Sequence, residues 1–333
     1  MTRASFGHIG SLGAIAACIA ASAHAATYTT FDPAGSIFTA PAYVDGNGVI
    51  VGDYSPDNYI GHGFVRASDG TITVFDPKGS QVTEPVGIDG QGRIYGSYVP
   101  RNREDERGFV REPDGSITIF DAPHTKMTRA LAADPLAGLT GYYDGNHHNP
   151  TGYVRTPDGT ITTFKVPHSI FTIPNGINSA GTIVGVYVGK GIRIDSFIRT
   201  PDGTITKFGP PQHGEADAYA INGSGVVAGS IYKGDQPVHG FLRNPDGTFV
   251  IFDPKNSTDT EPAAINASGA IIGTYETSDQ VVHGFLRDPN GTIHNIDDPD
   301  ASSATTPRSI NDNGVIAGWF KGADGLSHGF VRK

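Results

Sequence analysis

The sequence predicts an all-β protein, a seven-bladed β-propeller with four antiparallel strands in each blade. Two markers recur along the chain, each of them seven times and each with a spacing of 44 or 45 residues. No segment shows the apolar periodicity of a helix. Four short strands in a period of about 44 residues fit a propeller blade, whereas leucine-rich and helical repeats have other periods and contain helices.

The two markers define the repeat units, which we number 1 to 7. The first marker is a Phe-Asp pair or a variant of it, which begins at Phe31, Phe75, Phe120, Phe164, Phe208, Phe252 and Ile296. The second is a Gly-Phe pair or a variant, which ends at Phe64, Phe109, Tyr153, Phe197, Phe241, Phe285 and Phe330. Because both markers give the same period and the same count, we expect residues 26–333 to form one propeller.

Each unit contains four predicted strands. The first is a short apolar strand that ends in an Asn-x-x-Gly turn, as at Asn178–Gly181, and the second follows, as at Ile183–Tyr187. A third strand, such as Gly240–Arg243, leads through an Asp-Gly turn to a fourth with alternating polarity, such as Thr204–Phe208.

The phase of the repeat at the two ends predicts how the ring closes. Residues Thr27–Asp32 match the fourth strand of a unit, and the chain stops after the third strand of unit 7, at His328–Lys333. We therefore expect the N-terminal strand to complete the last blade, which would pair edges that are otherwise exposed.

Residues 1–25 have the features of a cleavable signal peptide. Arg3 precedes an apolar stretch, and Ala23-His24-Ala25 is a small-x-small cleavage site. An alternative is a lipoprotein box at Ile15–Cys18, which would leave a lipid on Cys18, the only cysteine. We expect a secreted or periplasmic protein with no transmembrane segment, because no stretch reaches the ~20 apolar residues that a membrane-spanning helix needs.

Composition and charge exclude several classes of partner. The chain has 333 residues, 45 glycines and a formal charge of −10, with no run of Lys and Arg. Nucleic acids and anionic membrane surfaces are therefore poor candidates. We expect a monomer, and the turn-rich composition argues against an ordinary α/β enzyme.

The repeat resembles that of the HAF-repeat group of exported bacterial proteins. The resemblance rests on Ile-Asn-x-x-Gly-x-Ile-x-Gly-x-Tyr followed by His-Gly-Phe, as at Ile265–Tyr275 and His283–Phe285, and it covers nearly all of the chain after residue 25. It implies export and a repeat architecture, and no agreed biochemical activity.

Side chains that recur in equivalent places are interpreted as structural. An arginine follows the second marker in every unit, and we expect it to pair with the repeated Asp residues or with strand ends. The arginines are Arg66, Arg111, Arg155, Arg199, Arg243, Arg287 and Arg332. A histidine recurs at His62, His239, His283 and His328, and we expect it to be hydrogen-bonded within its blade.

The predicted topology separates two faces. The short Asp-Gly and Asn-x-x-Gly turns lie on one, the turn face. The Phe-Asp-Pro loops and the longer loops after the second strands lie on the other, the variable-loop face. Since function tends to reside in variable loops on a rigid scaffold, the variable-loop face is the predicted binding face.

Departures from the repeat on this face suggest candidate site residues. Units 3 to 5 carry His124, His168 and His213 in the loop after the first marker. With Glu215 and Asp217, or with His147 and His148, they could hold a divalent metal or transfer protons; a surface-turn role is the alternative. Arg129 and Arg308 interrupt Pro- and Ala-rich inner strands, where each could bind a carboxylate or cap a strand end.

Two functions remain open at this point. The first is an exported binding or scaffold protein that recognises a saccharide, peptide or envelope component and is not an enzyme. The second is a carbon–oxygen lyase or a hydrolase acting on a polysaccharide or cyclic ester, with the histidines of blades 3 to 5 in its site. The virginiamycin B lyase family and several polysaccharide lyases are similar in architecture, but none of their motifs is matched residue by residue. No nucleophile elbow, phosphate loop or calcium loop is present, and no cofactor is required by the sequence.

Overall fold

The computed structural model describes residues 26–57, 59–101, 105–125, 127–144, 149–189, 191, 193–210, 214–234 and 236–333. These residues form 28 β-strands and no helix, which confirms the all-β prediction. The strands pair antiparallel in seven sets of four, and each set coincides with one repeat unit.

The strands occupy equivalent places in every unit. The first strands are β2 (Phe38–Val44), β6 (Ser80–Ile88), β10 (Thr128–Asp134), β14 (Ser169–Ile177), β18 (Glu215–Ile221), β22 (Ser257–Ile265) and β26 (Ala301–Ile310). The second strands are β3 (Ile50–Ser55), β7 (Ile94–Pro100), β11 (Gly138–Asp144), β15 (Ile183–Gly189), β19 (Val227–Tyr232), β23 (Ile271–Thr277) and β27 (Ile316–Gly322). The third strands are β4 (His62–Arg66), β8 (Arg107–Arg111), β12 (Pro150–Arg155), β16 (Ile194–Arg199), β20 (His239–Arg243), β24 (Val282–Arg287) and β28 (Ser327–Arg332). The fourth strands are β5 (Ile72–Phe75), β9 (Ile117–Phe120), β13 (Ile161–Phe164), β17 (Ile205–Phe208), β21 (Phe249–Phe252), β25 (Ile293–Asn295) and β1 (Tyr28–Phe31).

The N-terminal strand lies in the last unit, where the phase of the repeat predicts it. β1 pairs antiparallel with β28, with Tyr28 opposite Arg332 and Phe31 opposite Gly329. Units 2 to 5 are separate four-stranded sheets, and units 6, 7 and 1 are joined into one twelve-stranded sheet by single parallel pairs. No sheet of the described strands closes on itself.

A β-bulge interrupts every first strand at the same position. In five units a proline, which cannot donate to the ladder, precedes the bulged residue. The bulge brings the first strand close to a glycine of the second. A Cβ on Gly229, for example, would lie 2.0 Å from the carbonyl oxygen of Asp217. The bulged residues are Ala42, Val86, Leu131, Asn175, Tyr219, Ala263 and Arg308.

Consecutive units pack through their aromatic markers. The Phe31 ring meets Phe64 edge-on at 5.9 Å between centroids, and Phe75 meets Phe109 in the same way. The repeated arginine lies over the same ring, with its guanidinium 4.9 or 5.0 Å from the centroid in six units. The arginine also donates to the carbonyl at the end of its strand, as Arg66 does to Ala67.

Of the two partners expected for the repeated arginine, the strand end is confirmed and the repeated Asp is not a partner. In four units the Asp accepts from a histidine instead, as Asp76 does from His62. Three of these Asp residues also accept a hydrogen bond from a threonine on the first strand that follows them along the chain. The Thr83 hydroxyl, for example, donates to Asp76 at 2.6 Å. The prediction that these histidines are hydrogen-bonded within the blade is confirmed.

Asparagines link neighbouring units on the turn face. The Asn178 amide donates to the carbonyl of Asn222, and the same bond is repeated from Asn222 to Asn266 and from Asn266 to Asn311. Asn311 in turn donates to the carbonyl of Asp45, which joins unit 7 to unit 1.

Candidate functional site

The first strands of all seven units surround a central cavity of about 560 Å³. Each bulge turns one extra side chain into it, because an inserted residue re-aims the strand. The cavity is lined by the stretch of each first strand that precedes its Asn or Asp turn, so it lies closer to the variable-loop face than a second cavity of about 400 Å³ at the turns. Its lining combines apolar side chains with several polar and charged ones, which are the groups that orient a ligand.

An acidic and basic cluster occupies the unit 2 and unit 3 side of the central cavity. Arg129 donates to Glu84 at 3.2 Å and lies 3.6 Å from Glu106. Glu106 is buried and also accepts from the Ser97 hydroxyl. Burial raises the pKa of Glu106, and the positive charge of Arg129 opposes that rise. The cluster fixes Arg129 between two carboxylates.

Asp53 is the carboxyl group whose pKa makes it suited to proton transfer. It lies on β3, borders the central cavity and makes no side-chain hydrogen bond to another described residue. Burial, followed by the nearby charge of Glu84, raises its pKa to about 7, while Arg308 acts in the opposite direction. A carboxyl with such a pKa holds its proton in part near neutral pH.

Asp217 and two tyrosines form a second polar group. The Tyr219 hydroxyl is 3.5 Å from one oxygen of Asp217, and the other oxygen is buried without a hydrogen-bond partner. Burial raises the pKa of Asp217, Glu215 adds to the rise, and Tyr232 lowers it. Glu215 accepts from the amide of Ile194 at 3.3 Å. Of these groups, Tyr219 projects into the central cavity.

Arg308 and Glu261 face the cavity without a polar partner among the described residues. Both are exposed, and neither makes a hydrogen bond or an ion pair with another described side chain. Arg308 is the bulged residue of unit 7, whereas Glu261 lies two positions before the bulge of unit 6. A ligand can therefore bind these two charged side chains without displacing a hydrogen bond or an ion pair within the protein.

The predicted site residues fall into three places. Arg129 and Arg308 line the central cavity, and Asp217 reaches it through Tyr219. His124 and His168 are exposed residues of the turns before β10 and β14, with φ of 62° and 64°, and neither lines the cavity. His147, His148 and His213 lie outside the described residues.

The turn geometry gives a structural reason for His124 and His168. Gly35, Gly79 and Asn256 hold the same left-handed position in the turns of other units. Histidine is among the residues enriched in this conformation, so a histidine fits a turn that glycine fills elsewhere. The described residues contain no group of three or more His, Cys, Asp and Glu side chains placed to hold a metal ion.

Asp53 was missed by the sequence analysis, although a signal for it exists. The residue after the second-strand glycine is neutral in six units, and Asp53 is the one acid at that position. Asp53 was not predicted because it lies within a strand, whereas most of the candidate residues were sought in loops. Glu84, Tyr219 and Glu261, which also lie within strands, were missed for the same reason, whereas Glu106 was missed although it lies in the loop before β8.

No helix of the described residues is long and apolar enough to cross a membrane.

Comparison with known proteins supports the fold. No protein-family model and no curated protein matches the sequence. Virginiamycin B lyase from Staphylococcus aureus is similar in structure with a TM-score of 0.62 and 14% identity, over 93% of this chain and 100% of that one. The β-propeller domain of the Trilobed protease from Pyrococcus furiosus has a TM-score of 0.62 and 12% identity, over 89% and 96% of the two chains. A putative TolB from Agrobacterium tumefaciens has a TM-score of 0.51 and 14% identity, over 79% and 93%. The chain therefore has a β-propeller fold.

Proposed function

We propose that this protein is an exported seven-bladed propeller that binds a saccharide, peptide or envelope component in its central cavity, from the variable-loop face. The seven sets of four strands are the blades. Three contacts support closure of the ring between units 7 and 1: the pairing of β1 with β28, the stacking of Arg66 on Phe31, and the bond from Asn311 to Asp45. The proposed localisation is secreted or periplasmic, after removal of residues 1–25.

The observation that carries the proposal is the contrast between a uniform frame and a varied cavity. Glycines, aromatic markers and stacked arginines recur from unit to unit, while the bulged residues range from alanine to asparagine, tyrosine and arginine. A scaffold role accounts for the recurring residues. It does not account for varied polar side chains that converge on one cavity, where a small number of placed polar groups is the usual mark of a binding site.

The proposal is tested with variants of the two unpartnered charges. We expect Arg308→Ala and Glu261→Gln each to weaken binding of a ligand found by a thermal-shift screen of residues 26–333 against neutral glycans, acidic glycans and short peptides. A ligand that binds only the folded state raises the melting temperature. Loss of one charge-assisted hydrogen bond lowers affinity by about 10-fold or more.

The matched control is Lys78→Ala, which removes an exposed charge in the loop before β6, outside the cavity lining. It should melt and bind like the parent protein. If the cavity variants bind as tightly as the control, the ligand does not use the central cavity and the proposed site is wrong.

A second candidate function is an enzyme, and Asp53 is the observation that favours it. A carboxyl with a pKa of about 7 beside Glu84 resembles the paired carboxyl groups that serve as acid and base in glycoside hydrolysis. An enzyme that uses Asp53 and Glu84 would not need the loop histidines. Release of shorter products from a bound glycan, followed by mass spectrometry, would support it; recovery of the intact glycan after long incubation would leave the binding function.

A further inference from the structure

A second opening adjoins the central cavity beside unit 1. This side cavity has a volume of about 330 Å³ and lies between the loop that follows β3 and the start of β6. Its lining combines apolar and polar side chains, among them Phe38, Tyr59, Ile60, Val82, Ser55 and Asp57. Asp53 lines both cavities and therefore lies between them.

The described residues of the loop that carries Tyr59 form hydrogen bonds with one another and with the next unit. The Asp57 carboxylate accepts from the amides of Tyr59 and Ile60, both at 2.8 Å. Ser55 donates to the carbonyl of Ile60 at 2.6 Å. Gly61 exchanges two backbone bonds with β6, through Gln81 and Thr83. Residues bonded in this way lose little conformational freedom when a ligand binds.

Tyr59 nevertheless presents its ring to solvent, with 79% of the residue exposed. The fixed loop holds an aromatic face at the mouth of the side cavity, and an amphipathic ring of this kind combines apolar contact area with a hydroxyl. A sugar ring has the complementary character, since its C–H face is apolar and its rim carries hydroxyl groups.

The charge of the central cavity narrows the class of ligand. Its lining contains the carboxylates of Glu84 and Glu261 and the guanidinium groups of Arg129 and Arg308, and the fifth group, Asp53, holds its proton in part near neutral pH, so the lining has little net charge. The whole chain is acidic, with a formal charge of −10. The negative charge of the whole chain disfavours a polyanionic ligand, whereas a neutral chain with many hydroxyl groups meets donors and acceptors along the lining.

We propose that the ligand is a neutral oligosaccharide chain that runs from the central cavity across Asp53 into the side cavity, where one sugar ring stacks on Tyr59. This inference rests on the proposed binding function and adds the ligand class and its path.

The test is the dependence of affinity on chain length. Binding of N-acetylglucosamine and its β-1,4-linked oligomers of two to five residues, and of cello- and malto-oligosaccharides of the same lengths, is measured by calorimetry on residues 26–333. We expect affinity to rise with length in at least one series. Tyr59→Ala should weaken the longest oligomers by about 3- to 10-fold, the range for loss of one aromatic stacking contact, and leave the shortest bound form unchanged.

Two variants serve as controls. Tyr59→Phe keeps the ring and should bind nearly as the parent does, and Val250→Ala removes an exposed apolar side chain from β21, outside both cavities. Affinity that does not change with chain length, an unaltered affinity in Tyr59→Ala, or tighter binding of oligogalacturonides would overturn the path or the ligand class. Loss of binding in Arg308→Ala together with such a result would leave the proposed function standing. Binding of peptides alone would overturn this inference as well.

Discussion

At the scale of single residues, one strand position changes character between units. Asp53 replaces the neutral residues found after the other second-strand glycines, and it faces Glu84 and Arg308 in the central cavity. With a pKa of about 7, its carboxyl group is present in both the protonated and the ionised form near neutral pH. The position therefore brings proton chemistry into a frame that is otherwise built for packing.

We predict that Asp53 makes the folded protein less stable as pH rises. With a native pKa of about 7 and an unfolded value near 3.8, the native state holds a proton between about pH 4 and pH 7 that the unfolded chain has released. The free energy of unfolding contributed by this group therefore falls as pH increases through that window. Asp53→Asn keeps a neutral side chain at every pH. The melting temperature of the variant minus that of the parent should therefore increase by several °C between pH 4 and pH 8.

The difference between the two proteins isolates Asp53, because all other titrating groups are common to both. A difference in melting temperature that stays constant across this pH range would contradict the assigned pKa.

The loop histidines show that the role of a single residue cannot always be predicted from its type and its place in the repeat. His124 and His168 were singled out because they depart from the repeat, yet backbone geometry places them with Gly35, Gly79 and Asn256. A residue-type comparison cannot reveal a shared left-handed φ. Arg129 and Arg308 were found because each places a charge in an otherwise Pro- and Ala-rich inner strand.

At the scale of elements, the bulge of the first strand explains the glycine of the second. We predict that Gly229→Ala destabilises the protein by about 3 kcal/mol or more, because the new Cβ would meet the Asp217 carbonyl oxygen at 2.0 Å and the Phe241 ring at 2.8 Å. Chemical denaturation of the purified variant measures the loss.

Gly90→Ala is the matched control, since a Cβ there has nothing within 4 Å and the φ of Gly90 is not left-handed. If Gly229→Ala unfolds at the same denaturant concentration as Gly90→Ala, the close approach at the bulge is incorrect.

Strand positions were predictable because each unit repeats the same signals seven times. The strand expected at Ile183–Tyr187 spans Ile183–Gly189, and the one expected at Gly240–Arg243 begins one residue earlier, at His239. The bulge was not predicted, although the glycine and proline that accompany it were visible. The position of the bulge depends on how the first and second strands pair, and the sequence of either strand alone does not determine that pairing.

At the scale of the whole molecule, the proposed closure of the ring predicts equal roles for markers far apart in sequence. Phe31 and Phe75 are 8% and 9% exposed, and each meets the ring and the arginine of the following unit. We predict that Phe31→Ala and Phe75→Ala each cost about 3–5 kcal/mol of unfolding free energy. A loss for Phe31→Ala below about 1 kcal/mol, with the full loss for Phe75→Ala, would show that the N-terminal strand contributes little to the junction.

The fold was predictable at this scale and the site was not. Period and count are carried by the sequence itself, whereas the central cavity collects residues such as Asp53, Glu84 and Arg308 that lie up to 255 positions apart. Only the arrangement of the units around an axis brings them together.

Pairing of β1 with β28 has a consequence for how the molecule can be held. Thr27 and Lys333 exchange two backbone hydrogen bonds, of 2.9 and 3.0 Å, so both ends leave the fold side by side. By the direction of the strands, they leave from the turn face. If a lipid on Cys18 or another tether were attached ahead of residue 26, the turn face would lie toward the supporting surface and the proposed binding cavity would open away from it.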